Sequence, residues 1–186
     1  MTLLGDFIKS ATVIQPFFMG IVIAVIMGMA LTAPISSVAI AVAIGLDGLA
    51  GGAAVVGCSV QMLGFALMAR KDNNLGTVLS IAVGTSMLQF KNILKKPILW
   101  LPTIIASAIL GPLSTLVFKT ETIASGAGMG TSGLVGQFGT FAAMGYNLES
   151  YLAVGVLQIA LPLVLVLIFD LIMRKMNWLK PGDLKV

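Results

Sequence analysis

GAGMGTSGLVGQFGT, residues 126–140, carries six glycines, four of which (Gly130, Gly133, Gly136, Gly139) fall at every third position. It lies among some of the most apolar segments of the chain. A glycine weakens a helix by about 1 kcal/mol relative to alanine. Loose backbone at membrane depth is tolerated only where protein covers it or where it lines a watery cavity. The stretch is therefore expected to dip into the protein, bend, and present backbone groups plus Thr131, Ser132 and Gln137 to something polar. The competing reading is a glycine packing face that lets helices touch.

The composition sets the surroundings of that bend. The 186 residues are 58% hydrophobic and 10% charged, with a mean hydropathy of +1.06. Soluble domains are about a quarter charged, so this is an integral membrane protein, of a length that suits one membrane domain. The net charge is +4, but the basic residues sit in short clusters between apolar runs. That is the pattern of cytoplasmic loops and not of a nucleic-acid surface. Histidine is absent, which removes phosphohistidine chemistry, His-metal sites and His-based acid–base catalysis from this chain. Neither a metal nor a cofactor is expected. The single cysteine, Cys58, cannot form an intramolecular disulfide and reads as a small buried hydrophobe. The 11 methionines read as gap-filling core, not as a soft-metal path. Asp6 and Lys9 precede an apolar run too long for a cleaved signal.

Residues 1–15 are mildly amphipathic and are expected to lie at the interface, with Lys9 cytoplasmic. Pro16 opens the first membrane helix. As one straight helix, 16–46 would run roughly 46 Å, against about 30 Å for a bilayer core. The excess breaks at Pro34-Ile35-Ser36-Ser37, where hydroxyls re-satisfy the carbonyls that proline frees. Asp47-Gly48 is a turn signal. It favours a surface position for Asp47, the one acid in a long apolar tract, although an intramembrane acid is otherwise a functional candidate. Leu49 to Met68 forms the next span and ends at a positive loop, Arg70 to Asn74. Leu75 to Phe90, 16 residues, is at or below the minimum for spanning and has positive flanks on both sides, the second being Lys91 to Pro97. A segment that enters and leaves on one side is re-entrant. Ile98 to Phe118 and Tyr151 to Met173 are further spans, bent at Pro102, Pro112 and Pro162. Glu121 and Glu149 flank the opening stretch and read as solvated.

The expected fold is thus an all-α polytopic membrane protein with about four transmembrane helices and two re-entrant hairpins. Its parts are the interfacial segment 1–15, a membrane transport-like domain 16–173 and a cytoplasmic basic tail 174–186. The two hairpins share a short likeness, GTSMLQF from Gly84 and GTSGLVGQF from Gly130. Discontinuous helices in paired positions point to a transporter's binding site. Gly128 to Gly133 also fits G-x-G-x-x-G, but no strand precedes it and no acid follows at the required distance, so a dinucleotide site is excluded. Gln61, Gln89, Gln137 and Gln158 are neutral polar groups at membrane depth. Each suits a sugar hydroxyl or a neighbouring helix.

Leu4-Gly5-Asp6-Phe7, Gln15-Pro16-Phe17, Pro34-Ile35-Ser36-Ser37, Val56-Gly57-Cys58, Lys71-Asp72-Asn73, Gly84 to Gln89 and, most specifically, Gly126 to Thr140 carry a resemblance. The chain resembles the IIC-type membrane subunits of the bacterial phosphotransferase system, in the group that includes perfringolysin-type toxin regulators. The resemblance implies a sugar permease domain in the bacterial cell membrane, multi-pass, with both termini cytoplasmic. Sugar, or a similar polar solute, would be handed to cytoplasmic IIB and IIA partners, and a homo-oligomer, a dimer, is the implied assembly. Family members are usually much longer, so this chain looks like their C-terminal, substrate-binding half. Glucose-type members carry a glutamate and a histidine on a hairpin; here Gly84-Thr85-Ser86 and Gly130-Thr131-Ser132 stand instead. The expected substrate-binding set is Gly84, Thr85, Ser86, Gln89, Gly130, Thr131, Ser132 and Gln137. No catalytic residue is expected, because the phosphoryl carrier must sit on another chain. The alternatives are a membrane sensor or regulator without transport, and a small channel oligomer with the two tips as a filter.

Overall fold

The computed structural model describes residues 2–186. Apart from one antiparallel bridge between Gly48 and Thr122, the described residues form helices, turns and short connections. Three helical stretches are long and apolar enough to cross a membrane: Gly48–Ala69, Pro97–Val117 and Leu148–Lys175. The architecture is therefore all-α and polytopic.

The hub is α4 (Gly48–Ala69), with 89% of its apolar window buried, whereas the most apolar stretch, Leu148–Lys175, is only 33% buried. That inverts the rule for soluble proteins and fits a bundle whose outer helices face lipid. Small residues let the neighbours come close. A Cβ at Gly57 would overlap the Ala24 carbonyl of α2 (Pro16–Thr32), and one at Gly52 would overlap the Thr120 carbonyl. Gly64 lies under Thr103 of α7 (Leu101–Pro112) and Val166 of α11 (Leu161–Lys175). Helix α2 runs parallel to α4, because Met27 and Gly28 meet Cys58 and Gly57, and Thr32 meets Gln61. Helix α7 runs antiparallel to both, with Thr103 at Gly64 and Gly111 at Gly20.

This pairing changes the path of residues 16–46. The break falls where the sequence places it, after Thr32, and Ser36 caps α3 (Ser37–Ile44) by accepting from the Ala39 amide at 3.2 Å. But α3 then returns to Leu46 and Asp47, at the end of the bundle where α2 began. Lys9 of α1 (Thr2–Ile14) pairs with Asp47 at 2.7 Å, so α1 lies at that end too. Arg174 and the residues after it lie at the other end, against Met68 and Asp72. The sequence reading expects both ends of the chain on one face and Lys9 opposite Asp47. In the bundle α2 and α3 instead run out and back beside α4, so that Lys9 and Asp47 share one end and the residues after α11 the other.

Two further segments do the same. One, hairpin 1, comprises α5 (Leu75–Leu79) with its π-helical continuation Ser80–Gly84, a 3-10 turn Ser86–Gln89 and α6 (Phe90–Lys95). Both of its ends lie at the Arg70 end, where Asn73 and Asn92 each bond the last residues of the chain. The other, hairpin 2, comprises α8 (Ala124–Ala127), a turn and α9 (Val135–Met144). Thr122 sits at Gly48, and the Glu121 amide meets the Met144 sulfur at 3.4 Å, so hairpin 2 starts and ends at the Asp47 end. The chain then passes α10 (Leu148–Leu152) and a π-helical run, Ala153–Ala160, just before Pro162. Another π-helical turn, Leu113–Val117, follows Pro112. Proline removes a helix bond, and the wider turn absorbs the misfit.

Gly57→Ala is expected to destabilise the protein by about 1–3 kcal/mol, since its methyl must push α2 off α4. Gly155→Ala meets nothing within 4 Å and should be neutral or slightly stabilising. Thermal unfolding of the two variants in detergent compares them directly.

Candidate functional site

The sequence-predicted residues fall into two groups. Gly130 adopts φ +53° and packs against Cys58 and Ser59, near the middle of α4. The turn continues through Gly133 (φ +52°) and Leu134 (φ +59°), a reversal that a run of residues with ordinary backbone angles does not make. It delivers Thr131 and Ser132 to the tip of hairpin 1. There the Thr131 hydroxyl donates to the Ala82 carbonyl at 2.6 Å and the Ser132 hydroxyl donates to the Gly84 carbonyl at 2.8 Å. Those carbonyls belong to the last turn of a helix, where acceptors are left without backbone partners. Thr85 leaves the helix in extended backbone and caps the next turn by accepting from the Met87 amide at 3.1 Å. The two GTS motifs therefore touch, hydroxyl to carbonyl.

The glycine-dense stretch also serves as a packing face. A Cβ at Gly126 or Gly139 would lie 2.7 Å from the Thr122 hydroxyl, and one at Gly128 would lie 2.6 Å from the Ser37 carbonyl. Both readings of the stretch describe it: the outer glycines pack and the central ones turn.

A second polar group lies on the other side of hairpin 1. The Ser86 and Thr32 hydroxyls are 2.9 Å apart. Gln61 Oε1 accepts from Trp100 Nε1 and Thr103 Oγ1 at 3.0 Å each and from Thr32 Oγ1 at 3.3 Å. The break after α2 thus reaches the same level as the hairpin tip. Gln137 donates to Gln158 Oε1 at 3.0 Å, and Gln158 donates to Thr140 Oγ1 at 2.8 Å. Gln61 Nε2 and Gln137 Oε1 are buried without a partner. Gln89 is not brought to the tips. Its amide donates to the Leu184 carbonyl at 3.0 Å and accepts from Asn92 at 2.9 Å, at the mouth of hairpin 1. Cys58 is fully buried, its thiol directed at the Met27 carbonyl at 3.4 Å.

The structure adds a residue that the sequence reading passed over. Asp170 is fully buried on α11. Arg174 Nε donates to it at 2.9 Å, and Arg70 lies at 3.8 Å from its other oxygen. Arg174 also donates to the Met68 carbonyl at 3.0 Å, so the cluster ties α11 to the end of α4. The signal was present: an acid four residues before an arginine, inside an apolar run.

Helices that break level with the middle of α4, with polar tips facing each other from opposite ends of the bundle, are compatible with a membrane permease. A family model described as "Phosphotransferase system, EIIC" matches residues 1–186, and the chain belongs to that family. It is a membrane-embedded permease component of a phosphotransferase system. No curated relative and no solved structure matches it.

Asp170→Ala is expected to cost about 3 kcal/mol, the lower end for breaking a buried ion pair because both arginines reach solvent. A thermal melt in detergent measures it, with Arg174→Ala as the companion from the other side of the pair.

Proposed function

We propose that the junction of the two tips is where a polar solute, a sugar, is bound and passed across the membrane. Gly84 and Thr85 contribute from one side, with Ser86 held behind them by Thr32, and Gly130, Thr131 and Ser132 from the other. Gln137 supports the second tip through Gln158, and Gln89 holds the mouth of the first hairpin. The observation that carries this reading is the pair of bonds from Thr131 and Ser132 to the Ala82 and Gly84 carbonyls. A sugar hydroxyl is the same kind of donor and acceptor as a threonine or serine hydroxyl. A sugar entering between the tips replaces each tip-to-tip bond with bonds of equal kind, so opening the junction leaves no acceptor bare.

In this reading both hairpins are re-entrant and meet within the bilayer. Access alternates as one hairpin, with the helices that carry it, rocks against α4. Cavities of about 430 and 400 Å³ share Lys119 as a lining residue at the Asp47 end, one reaching Glu149 and the other Glu121, the acids that flank hairpin 2. The phosphoryl group comes from a IIB protein at the Arg70 end. Within this chain no histidine is present and the one thiol is sealed in the core.

Two experiments test the reading. In membrane vesicles supplied with IIA and IIB proteins, sugar accumulates as its phosphate. Thr131→Val and Ser132→Ala each reduce uptake about tenfold, the value of one or two net hydrogen bonds. Uptake with no change in either variant, or conductance that does not saturate, removes the proposal. For topology, cysteines placed at Lys71 and Lys95 label from one side of the membrane, and those at Lys9, Glu121 and Glu149 from the other. Labelling of positions 71 and 95 from opposite sides ends the hairpin reading.

A further inference from the structure

The residues after α11 do not trail into solvent. The Trp178 and Leu179 amides turn back to the Met173 carbonyl at 2.9 and 3.3 Å, which fixes where the segment starts. Gly182, at φ +90°, then reverses the chain. From there each residue is held by side chains of the loop before hairpin 1 and of its outward leg and exit. Asp72 accepts from the Gly182 and Leu184 amides at 2.9 and 3.2 Å. Asn73 donates to the Leu184 carbonyl at 2.7 Å and accepts from the Val186 amide at 2.9 Å. On the return leg of the hairpin, Gln89 donates to the Leu184 carbonyl at 3.0 Å, Asn92 donates to the Lys185 carbonyl at 3.1 Å, and Lys96 pairs with Asp183. Leu184 is fully buried and joins the main core.

Asp72 and Asn73 precede the inward leg of hairpin 1, and Gln89, Asn92 and Lys96 lie on or beyond its outward leg. One short segment therefore crosses the mouth of the hairpin and joins both legs to the end of α11, which is itself packed on α4. Its hold is built from main-chain hydrogen bonds, one apolar anchor and an ion pair whose partners are 32% and 22% exposed. Each such bond is worth about 1 kcal/mol net, and an exposed ion pair is screened by salt. A seat of that kind belongs to the low-stability end of a structure, with the all-buried α4 at the other.

We propose that Pro181–Val186 is a latch: it fixes hairpin 1 while seated, and it leaves its seat when the tip of that hairpin moves. The latch rests on the reading of hairpin 1 as a moving part of the permease. Hydrogen exchange of the full chain in lipid nanodiscs tests it without knowledge of the solute. In Leu184→Asp, amides of 75–96 exchange about tenfold faster or more, as expected from losing one or two net hydrogen bonds, while those of 48–69 keep their rates. Lys96→Asp and Asp183→Lys each give a smaller rise, and the double variant, which restores the ion pair with its charges exchanged, returns to the parental rate. The latch is overturned if 75–96 exchanges at the parental rate in Leu184→Asp. It is equally overturned if 48–69 loosens together with it, because the segment then serves the whole fold. Uptake of a panel of hexoses and disaccharides into vesicles supplied with IIA and IIB proteins, read on the same variants, separates the two ideas. Faster exchange in 75–96 without uptake by any variant keeps the latch and removes the solute reading.

Discussion

The fold depends on how closely neighbours can approach α4. Between helices in lipid there is no hydrophobic gain to be had, so association rests on packing and interhelical polar contacts. Gly52, Gly57 and Gly64 meet this requirement along one helix: Gly57 and Gly64, seven residues apart, lie on one side of it at different heights, and Gly52 lies on another. Gly57 takes the Ala24 backbone, Gly52 takes the Thr120 backbone, and Gly64 takes side chains from α7 and α11. The partners answer in kind, since Gly28 meets the Gly57 carbonyl at 2.7 Å for an added Cβ and Gly20 meets Thr115 at 2.8 Å. With α4 enclosed, α2, α7 and α11 are held at fixed heights along it, and everything that is not a full crossing must find its depth by contact with it.

That constraint sets the level at which the polar elements meet. Gly130 reaches Cys58 and Ser59, Thr32 reaches Gln61, and Ser86 reaches Thr32, so three chain reversals converge near the middle of α4. Each reversal leaves backbone groups without helical partners, and each is answered by a hydroxyl or an amide. Ser36 caps α3, Thr85 caps the 3-10 turn within hairpin 1, and Thr131 and Ser132 take the Ala82 and Gly84 carbonyls. The hydroxyl-rich motifs at the breaks thus satisfy the backbone in the resting structure, and in the proposed mechanism they exchange that duty for binding a solute.

Local features of the chain were legible because they have local causes. Pro34 with its flanking hydroxyls announced the break after Thr32, and the break is there. Pro112 and Pro162 announced bends, and π-helical turns stand beside both. The third-position glycines announced an irregular stretch, and its centre adopts positive φ. The direction in which α3 leaves the break was not legible. A crossing and a return need the same apolar residues, and only the partners of α2 distinguish them. Asp170 was hidden in the same way: its charge was readable, but its role depends on Arg70, which is 100 positions earlier in the chain. Gln89 and Gln137 look alike in sequence, yet one faces the chain's last residues and the other faces Gln158.

The sequence by itself determined that the protein lives in a membrane, that it is helical, where its helices break, and which family it resembles. Composition and the placement of proline, glycine and charge decide these, because each acts within a turn or two of itself. The tertiary structure alone decided which breaks face one another, that α1 and the final residues lie at opposite ends of the bundle, and that the final residues lie across the mouth of hairpin 1. Those outcomes are set by which surfaces approach α4 and at what height, and contacts between residues far apart in the chain leave no periodic trace in it.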